Sequence, residues 1–114
     1  MDKLVPQVRR FSGLEPYEQQ EPGIAFFQWV LKQNEIPGTC MGHVTLEGPI
    51  HKTPGVHEDF DQVYLIYSGT GTVHLGDTRV QIAEPAAVII PRGTKHSVQL
   101  QAGEKIKYVF VNRI

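Results

Sequence analysis

The sequence predicts an all-β protein of one domain, a sandwich, jelly roll or small barrel, on three observations. Gly (11) and Pro (8) are spread along the chain rather than gathered into a linker. They punctuate short segments rich in Val, Ile, Thr, Tyr and Phe, the residues that fit a pleated, half-buried surface. Turn signals recur about every 8–12 residues, the rhythm of short strands in all-β folds. The 114 residues, 40% hydrophobic and 20% charged, suffice for one apolar core without disulfides and leave little room for a second module.

Along the chain, residues 1–23 are expected to form an N-terminal arm and residues 24–114 the barrel. Glu15-Pro16, Glu21-Pro22 and the polar run Glu18–Glu21 oppose a long helix in the arm, because proline removes a donor and clashes with the preceding turn. One edge strand is expected there. Strands then follow near Ala25–Lys32, Thr39–Glu47, Gln62–Tyr67, Gly71–Leu75, Thr78–Ile82, Ala87–Ile90, His96–Leu100 and Lys105–Val111. Gly76-Asp77 closes a hairpin between Thr72–Leu75 and Arg79–Ile82, since glycine takes positive φ at little cost and aspartate tolerates turn geometry. Ser68-Gly69-Thr70-Gly71 is read as a second tight connection of the same kind. In Gln62–Tyr67 alternation puts Gln62, Tyr64 and Ile66 on one side and Val63, Leu65 and Tyr67 on the other. Both sides are largely apolar, so both are expected to be covered. A second copy of the chain, meeting Val63, Leu65 and Tyr67 in a homodimer, would cover the outer one.

Two stretches carry a family resemblance: Gly55-Val56-His57-Glu58-Asp59-Phe60-Asp61-Gln62-Val63-Tyr64-Leu65-Ile66-Tyr67-Ser68-Gly69-Thr70-Gly71, and Val88-Ile89-Ile90-Pro91-Arg92-Gly93-Thr94-Lys95-His96-Ser97-Val98. Together they resemble the two motifs of the cupins. His57 falls on the second histidine of the first motif, Gln62 on its glutamate and Gly69 on its last glycine. Pro91, Gly93 and His96 match the second motif in spacing. The resemblance spans roughly Thr39–Arg113. It implies a cupin double-stranded β-helix, a jelly-roll barrel whose pocket is lined by His57, Gln62, Tyr64, Ile66 and His96. The chain departs from the pattern where the first motif's other histidine falls on Gly55, its glutamate on Gln62, the second motif's opening glycine on Pro85 and its final asparagine on Leu100.

The family's metal site normally uses three histidines and one glutamate. Imidazole and carboxylate together suit first-row divalent metals, and the carboxylate also cancels part of the ion's charge. Here two imidazoles and a neutral amide remain. His51, Thr53, Gly55 and His57 share one parity in an extended segment, which offers His51 as a further ligand. Two readings therefore stand. In the first, the chain is a small-molecule-binding cupin that requires no cofactor, with Tyr64 adding a hydroxyl to the pocket. In the second it is a metal-dependent dioxygenase, isomerase or lyase, holding Mn, Fe, Ni or Zn at His57, Gln62, His96 and His51. A metal-free epimerase or cyclase using His57 or His96 with Tyr64 is a third.

The remaining chemistry-bearing residues have plainer expectations. His43 and His74 read as exposed or hydrogen-bonded strand histidines, Cys40 as a small core residue, Glu58-Asp59-Asp61 as a solvated loop, and Arg92 and Lys95 as surface charges on a turn. Eleven Lys and Arg against 12 Asp and Glu, a net charge of −1, offer no basic surface for a phosphate backbone, so nucleic acid is not an expected partner. The longest apolar run, AAVIIP, is far short of the roughly 18 residues of a membrane span, and MDKLVPQVRRFSG has no signal-peptide core. No membrane partner is expected, and with one cysteine the expected location is the cytoplasm. Nucleophile elbows, P-loops and dinucleotide fingerprints are missing from the sequence.

Overall fold

A computed structural model describes residues 4–17 and 24–114. Eight strands form there: β1 (Ala25–Ile36), β2 (Thr39–Glu47), β3 (Asp61–Gly69), β4 (Gly71–Leu75), β5 (Thr78–Ile82), β6 (Ala86–Ile90), β7 (His96–Gln99) and β8 (Lys105–Arg113). They divide into a large antiparallel sheet, ordered β1-β2-β8-β3-β6, and a small one, ordered β5-β4-β7. The chain is nearly all β, as expected, and the two sheets enclose one core.

Alternation builds that core. On β8, Ile106, Tyr108, Phe110 and Asn112 are buried while Lys105 and Arg113 are exposed, the period-2 pattern of a strand with one wet face. Val44 and Leu46 of β2, Tyr64 and Ile66 of β3, and Val88 and Ile90 of β6 extend the same inner surface. Val73, Ile82 and Val98 face them from the small sheet. Residues 50–55 lie beside β7, bridged at Ile50 to Leu100 and at Gly55 to His96.

Two connections differ from expectation. β1 runs to Ile36, past the expected end at Lys32, because the hairpin to β2 turns on Pro37-Gly38, with Gly38 at φ 81° and Ile36 opposite Thr39. The polar run Lys32-Gln33-Asn34-Glu35 hides the strand from an apolar pattern. Ser68–Gly71 is not a hairpin. β3 and β4 lie in different sheets, and the turn is the corner where the chain crosses between them, tied by Thr70 N–H to the Lys105 carbonyl at 3.1 Å. Gly76-Asp77 does close the β4–β5 hairpin, with Leu75 opposite Thr78.

The described part of the arm holds a 3-10 turn at Phe11–Gly13 and a single bridge, Pro16 to Gln28, on the edge of β1. The remainder of the expected arm, residues 1–3 and 18–23, lies outside the described residues. Among those described, no helix is long and apolar enough to cross a membrane.

Candidate functional site

Tyr64 and His96 meet inside the barrel. Tyr64 is carried inward by β3 between Gln62 and Ile66, and His96 by the first position of β7, just after the Pro91–Lys95 turn; both are buried. Their rings stand edge to face with centroids 6.2 Å apart. Together they line a cavity of about 210 Å³ whose walls include Phe27, Leu46, Ile50 and Val98, with Tyr108 beside Tyr64.

The local backbone sets the chemistry of His96. Its Nδ1 lies 2.9 Å from the Thr94 carbonyl oxygen, which can only accept, so Nδ1 carries the proton and Nε2 keeps its lone pair. The Tyr64 and Tyr108 rings lie tilted by 32° with centroids 4.5 Å apart and share a side-chain hydrogen bond. Burial pushes the Tyr64 phenol up to about 12, the bond to Tyr108 pulling the other way. Burial raises Tyr108 further, helped by Tyr64. Both phenols are therefore neutral at physiological pH and act as hydrogen-bonding groups.

His57 is exposed and is not among the cavity-lining residues, although the resemblance places it in the pocket. Its ring lies 5.0 Å from that of His96 and stacks on Phe60 at 4.6 Å, while its carbonyl accepts from Gly93 N–H at 2.7 Å. Burial, and secondarily His96, hold the His57 imidazole below its ordinary value. Gln62 is buried, with Nε2 donating to Asn112 Oδ1 at 2.8 Å and Oε1 lacking a protein partner. Ile66 is a core residue, 2% exposed. Neither Gln62 nor Ile66 is among the cavity-lining residues, although both share the inner face with Tyr64. His51 is exposed, because its neighbour Ile50 takes the inward position of the segment. The expected inward turn of His51 is therefore corrected.

A donor set for a divalent ion can be judged from these residues. Two imidazoles and one unpartnered amide oxygen are present, and among the described residues no group of three or more His, Cys, Asp or Glu side chains comes together. Without an anionic ligand the set does not by itself fit a tightly held divalent ion.

His43 is buried and hydrogen-bonded on the outer face of the large sheet. His74 is half-buried, with Nε2 lacking a partner. Cys40 is a buried free thiol that burial pushes up. Arg92 is spent on Asp61 through its backbone N–H (2.9 Å) and Nη2 (3.2 Å), and its guanidinium holds the Asp61 carboxyl below its ordinary value. A larger hollow, about 700 Å³, lies outside the barrel between the arm and β1. Four of its charged side chains are paired, Arg9 with Glu35 and Lys32 with Glu15. Sequence reasoning missed Tyr108 and Phe27. The alternation of β8 was the available signal for Tyr108.

The sequence model of the family described as AraC-like ligand binding domain matches residues 37–112. No curated protein matches. Among solved structures, a predicted oxalate decarboxylase from Thermotoga maritima superposes with a TM-score of 0.82 at 16% identity, over 95% of this chain and 99% of that one. The polyketide cyclase RemF from Streptomyces resistomycificus gives 0.79 at 16% identity, over 96% and 80%. A cupin-2 domain from Rhodospirillum rubrum gives 0.74 at 17% identity, over 99% and 77%. At these identities the structural likeness establishes the jelly-roll cupin fold alone.

Proposed function

Because the chain belongs to the AraC-like ligand-binding domain family, a small cupin domain, we propose that it binds one compact organic molecule between Tyr64 and His96, without an obligatory metal. The observation that supports this most is His96, whose Nδ1–H is committed to Thr94 and whose Nε2 is left as an acceptor on the wall of a cavity that it shares with the phenols of Tyr64 and Tyr108, with Lys52, Thr53 and Ser97, and with the apolar Phe27, Leu46, Ile50 and Val98. At about 210 Å³ the space is smaller than the ~300–1,000 Å³ of drug-sized sites. It suits a single-ring molecule with one polar edge. Phe27, Leu46, Ile50 and Val98 would cover the apolar body, and the phenols and imidazole would meet a hydroxyl or carbonyl. His57 flanks His96, and Gln62 and Ile66 support the wall behind Tyr64.

The test is calorimetric titration of metal-stripped protein with a panel of single-ring hydroxy and keto compounds. Saturable binding, weakened about tenfold in Tyr64→Phe or His96→Ala as one buried hydrogen bond is lost, is the expected result. Binding that appears only after Mn, Fe, Ni or Zn is added would overturn it.

That second outcome belongs to a second reading, favoured by the 5.0 Å separation of His57 and His96. A divalent ion held there with help from Gln62 would supply Lewis acidity to a metalloenzyme. In either case the chain is read as one domain, residues 24–114 with the arm before them, working in the cytoplasm as a pair of copies joined through Val63, Leu65 and Tyr67.

A further inference from the structure

Residues 11–17 pass from the outer face of the large sheet to its inner face around the edge of β1. Outside, Phe11 stacks on His43 with centroids 4.2 Å apart and planes 23° apart, and Gln28 Nε2 donates to the Phe11 carbonyl at 2.8 Å. On the edge, Trp29 N–H donates to the Glu15 carbonyl at 2.8 Å and Tyr17 N–H to the Phe27 carbonyl at 2.9 Å. Inside, Tyr17 rests against Trp29 at 4.3 Å and edge-on against Phe27 at 5.7 Å. The segment is a strap, and His43 sits beneath its outer end.

His43 is held in one tautomer. Since Gln28 Nε2 is committed to Phe11, its Oε1 faces His43 Nδ1 at 2.9 Å, and that nitrogen must carry the proton. Nε2 then accepts from the Tyr67 hydroxyl at 2.6 Å. Only the neutral ring satisfies both neighbours as they stand. A second proton would make the Tyr67 hydroxyl turn from donor to acceptor and, above all, place a charge in a buried site. The surrounding groups do not welcome that charge. Burial, and secondarily the charge of Lys107 on β8, holds the imidazole below its ordinary value. From β3 comes the neutral Tyr67, and from β1 the neutral Gln28. On the strap Arg10 adjoins Phe11, and on β2 the acidic Glu47 lies at the far, exposed end of the strand.

We propose that His43 is a proton-operated buckle: neutral, it keeps the strap of residues 11–17 closed over β1, and protonated, it lets the strap go while the barrel stays folded. The barrel outlasts the strap because the 3-10 turn buries no residue and the ladders of both sheets are complete without it. The sign follows from linkage. A strapped state with a lowered imidazole pKa binds the proton less readily than the released state. The hold is therefore full above the free-imidazole value near 6.5 and weakens as pH falls below it. This holds whether or not the pocket takes a ligand.

Trp29 is the only tryptophan and lies against the strap, so its emission reports release. Iodide quenching and emission maximum are followed from pH 8 to pH 5 with far-ultraviolet dichroism alongside. In the native protein, quenching should rise about twofold below pH 6.5, as local opening exposes the ring, with the dichroism unchanged. His43→Gln should abolish the transition, His74→Gln should keep it, and Phe11→Ala should show the released signal already at pH 8. A flat profile in the native protein, an unaltered transition in His43→Gln, or a native-like signal in Phe11→Ala at pH 8 would each overturn the proposal. Should His43→Gln fail to fold, the Phe11→Ala comparison decides alone.

Discussion

Gln62 stands where the family pattern has a carboxylate, and its surroundings explain what an amide does there. Its Nε2 donates to Asn112 Oδ1, a role no carboxylate can fill. Gln62→Glu should therefore lower stability by about 1–3 kcal/mol, the range for a buried group left unsatisfied, read as a shift in the urea midpoint. If the same variant instead takes up divalent metal tightly with an unchanged fold, the metal-free reading fails. At this scale the sequence was legible where a spaced motif existed. His96 and Tyr64 could be read from the cupin pattern and the parity of β3. His51 could not, because its direction depends on Ile50 docking against Leu100, a contact 50 residues away in the chain. Tyr108 was passed over because a lone aromatic in an alternating strand looks like any other core residue.

Strands were the most legible elements, since period-2 alternation and glycine turns are local signals. What alternation cannot reveal is which sheet a strand joins. Ser68–Gly71 reads as a hairpin by composition, yet it carries the chain from one sheet to the other. Gly69 makes that crossing possible: it sits at φ 98°, and a Cβ there would lie 1.8 Å from the Lys105 carbonyl oxygen. Gly69→Ala should cost at least ~1–3 kcal/mol from backbone strain alone, measured as a loss of midpoint in chemical denaturation. Gly13→Ala, where nothing lies within 4 Å of the added carbon, should be near neutral, within about 0.5 kcal/mol. The polar extension of β1 was illegible for the opposite reason. Its ladder is set by the Pro37-Gly38 turn rather than by burial.

For the molecule as a whole, the outer face of the large sheet is the unfinished part. Leu65 and Tyr67 are 47% and 44% exposed and Ile89 is 62% exposed, while Val63, Val109 and Val111 lie half-buried among them in register across β3 and β8. Contiguous apolar surface of this kind marks an association site. Light scattering should find a dimer, and Leu65→Lys should return it to monomer with little loss of monomer stability, because the side chain is already wet in the single chain. Finding only monomer at high concentration would refute the pairing. The edges of that sheet set a limit on assembly. Among the described residues β6 has a partner on one side only, whereas the edge of β1 is occupied by Glu15, Pro16 and Tyr17. A sheet with one sticky end can join end to end only once, like with like, and then growth stops. A sheet with two can keep adding copies. The strap therefore occupies, at Phe27–Trp29, backbone donors and acceptors of β1 that another strand would otherwise use.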